Sequence, residues 1–218
     1  MVAVFVVLTF ALFLLIDYFV LKAQRKEHPA FVTYQVFDKR SFLLPEGFLL
    51  STGHTWVKLL KDGLAVIGID EFVLKAFKNI TLKSALPEGS FIRKGEILLE
   101  GIVGNNKLHF RSPIDGEIKF VSKNIEKLNI DDPYNTEYGI TVVPKDFSQN
   151  STSLKSGKNG LNWLKEEFNR LKDFLTVHTS DPEVAGLTMA DGGNIVEGVL
   201  SNFDEKTVNE FEKNFLSI

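Results

Sequence analysis

The sequence predicts a mainly β protein: a small sandwich or barrel, preceded by one membrane-spanning helix and followed by an α+β tail. Three observations carry that prediction. Between Gly53 and Asp146, short β-prone runs alternate with turns rich in Gly, Pro, Asn and Asp. Val2–Leu21 is an apolar run broken only by Thr9, Asp17 and Tyr18. From Leu161 onward, leucine and phenylalanine recur at helical spacing.

Composition narrows the function classes. The chain has 218 residues, 44% of them hydrophobic, which is enough for one packed domain with accessories. A net charge of -3 gives no electrostatic basis for nucleic-acid binding, which calls for a basic excess on one face. The absence of cysteine removes disulfides, thiolate metal sites and cysteine nucleophiles.

The N-terminal run matches the roughly twenty residues a helix needs to cross about 30 Å of hydrocarbon. No basic stretch precedes it and no small-residue cleavage site follows, so it reads as a retained anchor rather than a signal peptide. Lys22, Arg25 and Lys26 follow directly, which places the remainder of the chain in the cytoplasm as a single-pass membrane protein. Asp17 has two readings: a carboxylate reaching the interface beside those basic residues, or a contact to another membrane subunit. Residues 1–27 form this anchor and its basic flank. Residues 28–52 form a lead-in with the β-prone run 31–37 and the turn Pro45-Glu46-Gly47.

In the central segment, 53–146, Asp62-Gly63 separates the runs 55–60 and 64–69, a hairpin signal. Asp70 can cap a short helix over 71–77, and another strand follows over 79–82. After Pro87-Glu88-Gly89, two apolar runs flank Gly104-Asn105-Asn106, which predicts a β-hairpin with an exposed tip. Residues 117–121 and 139–143 supply further strands.

Several of these motifs, in order and approximate spacing, resemble the glycine cleavage system H protein, within the lipoyl/biotinyl-domain superfamily. They are Gly53-His54-Thr55-Trp56-Val57, Asp62-Gly63, Val66-Ile67-Gly68-Ile69, Leu86-Pro87-Glu88-Gly89, Lys94-Gly95-Glu96, Ser112-Pro113-Ile114-Asp115-Gly116-Glu117-Ile118, Asp132-Pro133-Tyr134 and Val143-Pro144-Lys145-Asp146. The resemblance implies a lipoyl-type barrel-sandwich hybrid that presents a lysine at a hairpin tip, where lipoate forms a swinging arm among partner enzymes. This sequence departs at that lysine. Aligning on Glu100 puts the position at Val103, and counting back from Ser112-Pro113 puts it at Asn105. Neither side chain has an amine to acylate, so no cofactor is expected there. Lys107, at the start of the return strand, is the nearest alternative.

Conventional catalysis finds no footing. His28, His54, His109 and His178 are scattered and predict no metal site. His54 lies in the Gly-His-x-Trp turn and reads as structural, while His109 alternates with Leu108 and Phe110 and reads as outward-facing. Asp131-Asp132 precedes Pro133-Tyr134 in a turn, and 190–194 fits neither nucleotide fingerprint. No small-molecule substrate is evident, and the chain reads as a non-enzyme.

Residues 147–160 have linker composition. In the tail, 161–218, Leu161, Leu164, Phe168, Leu171 and Leu175 form one helical stripe, which packs either on its own barrel or on a partner. A hairpin about 191–193 and a last helix capped by Asp204 follow, with Val208, Phe211 and Phe215 as its stripe. The sequence-level expectation is a membrane-anchored, non-catalytic docking subunit of a membrane-associated protein complex, without a lipoyl arm. Its partner contacts would come from Asn105, Asn106, Leu164, Phe168, Leu171 and Leu175. The alternative is a carrier modified on Lys107.

Overall fold

The computed structural model describes residues 2–24, 35–127, 131–178, 189–190 and 194–218. The sequence readings for Arg25, Lys26, His28, the run 31–34, 186–188 and the turn 191–193 lie outside the described residues. The chain divides into two units, Met1–Tyr34 and Gln35–Ile218.

The first unit holds helix α1, Val2–Gln24. Phe10, Phe13 and Leu15 are among its exposed side chains, as is Asp17. The expected membrane span is corrected here: among the described residues no helix is long and apolar enough to cross a membrane.

The second unit is built on β-hairpins whose turns follow from local chemistry. Strands β1 (Val36–Phe37), β2 (Phe48–Leu50), β3 (Thr55–Leu59) and β4 (Ala65–Ile69) come first. Between β3 and β4, Gly63 takes φ 84 and the Asp62 carboxylate accepts from the Leu64 amide at 3.1 Å. Helix α2 (Glu71–Phe77) opens on Asp70, whose side chain accepts from the Val73 amide. Strands β5 (Thr81–Ser84), β6 (Phe91–Ile92), β7 (Ile97–Val103), β8 (Asn106–Arg111), β9 (Gly116–Val121) and β10 (Ile140–Pro144) follow. Then come α3 (Phe147–Ser151), β11 (Lys155–Ser156), α4 (Gly157–His178), β12 (Met189–Ala190), β13 (Asn194–Val196) and α5 (Glu205–Phe215).

Three antiparallel sheets result, ordered β11-β2-β3-β4-β10-β9-β6, β5-β7-β8 and β1-β13-β12. The first two enclose a core of Trp56, Ile67, Ile69, Leu82, Leu98, Leu108, Phe110 and Ile118. The helices extend it: Phe72 and Phe77 of α2, Phe174 of α4 and Phe211 and Phe215 of α5 form one ring cluster, with Phe211 5.2 Å from Phe77 and 4.6 Å from Phe215.

Two expectations change. The fold is a lipoyl-type β-sandwich with added helices and is not mainly β, because residues in α-helices outnumber those in strands. The stretch 147–160 is structured: β11 adds an edge strand to β2, and the Asn150 amide donates to the carbonyls of Lys145 and Asp146, fixing α3.

Candidate functional site

Strands β7 and β8 form the hairpin expected to present a site. Val103 faces Asn106 across a two-residue turn, Gly104-Asn105, in which Gly104 takes φ 57. The strand alternation then decides what each side chain can do. Val103 is buried, so one of the two positions aligned to the family lysine points into the core. Asn105 stands exposed at the tip. Asn106 turns to the tail, its amide donating to the Phe203 carbonyl at 3.5 Å.

Lys107 faces Ile102 and is exposed. It is the only lysine between Lys94 and Lys119. Two residues on, a row of polar and charged side chains crosses the outer face of the sheet. Lys83 of β5 lies 2.9 Å from Glu100 of β7, Glu100 faces His109 of β8, and His109 Nδ1 lies 3.0 Å from Glu212 of α5. The Lys83 ammonium holds the Glu100 carboxyl below its ordinary range, with Lys107 and His109 adding to the effect. The hairpin therefore displays a primary amine on a polar, rigid face. It has no nucleophile and base within reach of one another.

Helix α5 closes the outer edge of this hairpin. The His109 amide, on the free side of β8, donates to Glu212 at 3.3 Å. Asn106 meets Phe203 and His109 meets Glu212, so α5 runs parallel to β8. The lengths agree, since the helical part of that step, Glu205 to Glu212, rises about 10.5 Å and three strand residues about 10 Å. An unpaired strand edge is a template for strand addition, and here the tail occupies it.

A strong electrostatic perturbation lies elsewhere, in a network that sequence reasoning missed. His54, at φ 57 and fully buried, is sandwiched between Phe72 (4.3 Å, near-parallel) and Trp163 (4.8 Å). Its Nδ1 lies 2.8 Å from Asp70 Oδ2. Its Nε2 lies 3.7 Å from Glu167 Oε2, an ion-pair distance too long for a hydrogen bond. Burial works to lower the imidazole pKa, but Asp70 and then Glu167 outweigh it and raise it to about 9. Burial likewise works to raise the Glu167 carboxyl, and His54 followed by Arg170 holds it below its ordinary range. Arg170 Nη1 donates to both Glu167 oxygens at 2.6 and 2.7 Å, and its Nη2 donates to the Asn214 carbonyl at the end of α5. A signal existed: Glu167 sits three residues after Leu164 and four before Leu171, on the apolar stripe where a carboxylate needs a partner.

The stripe itself is consumed internally. Leu164, Phe168, Leu171 and Leu175 are all buried in the chain's own core, so none of these four presents a surface to a partner. Among the described residues no group of three His, Asp or Glu is placed to hold a metal ion.

No protein-family model matches the chain. It is 30% identical over 114 residues to the glycine cleavage system H protein of Hydrogenovibrio crunogenus, covering 49% of this chain and 85% of that one. It is 29% identical over 130 residues to a probable glycine cleavage system H protein of Korarchaeum cryptofilum, covering 52% and 90%. A solved glycine cleavage system H protein from Mycobacterium marinum aligns at TM-score 0.43 and 19% identity, covering 47% of this chain and 87% of that one.

Proposed function

Because the chain belongs to the glycine cleavage system H-protein family, we propose that it works as a lipoyl-type carrier modified on Lys107 that shuttles an intermediate between enzymes. It is not itself an enzyme. The observation that supports the reading is the position of one amine. Lys107 is exposed on the display hairpin, at the first outward-facing residue after the turn, and forms no hydrogen bond or ion pair among the described residues. Val103 and Asn105, at the positions aligned to the family lysine, have no amine, so the attachment point moves along β8.

Lys107 Nζ would hold the group through an amide. The lipoyl arm, once attached, supplies a tethered dithiolane on which a small group is relayed. The chain's own part is to keep the attachment point in place: the Lys83-Glu100-His109-Glu212 row and the α5 cover stiffen the strand on which Lys107 stands.

The membrane-anchored docking subunit without an arm gives way to this reading. Among the described residues no helix is long and apolar enough to cross a membrane, so neither single-pass topology nor a membrane complex is supported. The relatives favour the carrier alternative.

The test is intact-mass and peptide mass analysis of the protein from its native host, alongside Lys107→Arg. A lipoyl adduct on the peptide containing Lys107, lost in the variant while its unfolding curve is unchanged, is the expected result. An adduct on another lysine, or no adduct on any, would sink the proposal.

A further inference from the structure

The tail is fastened to the β-module through charge as well as through apolar contact. His54 stands in the turn before β3, Asp70 caps α2, and Glu167 comes from α4. Arg170 carries the connection on to the last turn of α5, where it donates to Asn214 O and lies 4.8 Å over the Phe215 ring. The charged groups turned toward the imidazole from the elements packed on it are Asp70 and Glu167, the latter backed by Arg170. Phe72 and Trp163 form the remaining walls. Nε2 is buried without a hydrogen-bond partner, so the ring is held toward Glu167 by charge alone.

We propose that His54 is a proton-dependent lock: its imidazolium bridges Asp70 and Glu167, clamps α4 and α5 to the β-module, and so keeps the outer edge of the display hairpin covered. Loss of the proton leaves two buried carboxylates facing a neutral ring. A buried carboxylate stripped of its partner is costly, and Glu167 can relieve that cost by following Arg170 toward solvent, since Arg170 is half-exposed. That movement withdraws Arg170 from Asn214 O and loosens the helix that caps the His109 amide. The inference does not rest on what the hairpin carries.

The experiment is an NMR titration of the His54 ring in the full chain, with amide hydrogen exchange followed in the same samples and corrected for intrinsic rates. The ring should be doubly protonated at pH 7 and titrate with a midpoint near 9. Across that midpoint, protection of the His109 and α5 amides should fall at least about tenfold relative to β3 and β4, the scale of a local opening. Glu167→Gln should move the midpoint down by about 1 in pH or more, and His54→Gln should abolish the step. The wild-type titration stands alone if His54→Gln does not fold. A midpoint below pH 7, or protection of His109 that is unchanged through the titration, would overturn the proposal.

Discussion

Glu212 serves His109 twice. One carboxylate oxygen accepts from the His109 amide at 3.3 Å while the other lies 3.0 Å from its Nδ1, so a helix side chain takes the place of a neighbouring strand. Glu212→Ala should therefore cost about 1 kcal/mol, the typical worth of such hydrogen bonds at a half-buried site. The loss should be local, with faster amide exchange at His109 and little change at Glu100. Equal loosening of both residues would show that the hairpin does not depend on α5.

Phe211 is fully buried, with Phe77, Phe174 and Phe215 rings within 6.2 Å of its own. Phe211→Ala should destabilise the unit by about 3–5 kcal/mol, as large-to-small changes at buried rings do. Urea unfolding measures this, and a loss under 1 kcal/mol would mean that α5 contributes little to the core.

Gly68 faces Trp56, whose indole N–H donates to the Pro133 carbonyl at 3.0 Å. A Cβ at Gly68 would overlap the indole ring. The ring can move only by breaking that hydrogen bond, so Gly68→Ala should cost about 2 kcal/mol. Thermal unfolding and Trp fluorescence together report both the loss and the displaced ring. Wild-type stability in Gly68→Ala would contradict the packing described.

The fold holds the His54 proton more tightly than the unfolded chain does. Its stabilisation is therefore fully present below about pH 6.5 and is lost as pH rises through about 9. The difference corresponds to about 3 kcal/mol. Urea midpoints should fall between pH 6.5 and pH 10, and His54→Gln should flatten that slope. On the acid side Glu167 acts in the opposite sense, its stabilisation fading as pH falls through its depressed pKa.

What could be read from the sequence was local. Asp62-Gly63, the Asp70 cap and the β7–β8 turn each depend on a few adjacent residues, and each forms where its chemistry places it. The 161–175 periodicity also yields a helix, α4, although it begins earlier, at Gly157. The misreadings came from composition. Polar residues at 147–160 suggested a linker, yet Asn150 uses its amide to close a turn. The apolar run at the start suggested a span that the described residues do not sustain. The site's long-range pairings, His54 with Glu167 and His109 with Glu212, were not legible, because no local pattern specifies which distant carboxylate a histidine will meet.

One small sheet sets the order in which the molecule can be completed. Val36 pairs with Val196 and Phe37 with Ile195, so the first strand of the second unit finds its partner only near that unit's far end. A chain emerging from the ribosome must hold β1 unpaired until β13 has been made. Closure of this small sheet is then a slow, non-local event, and removal of residues 194–218 would leave β1 without its partner strand.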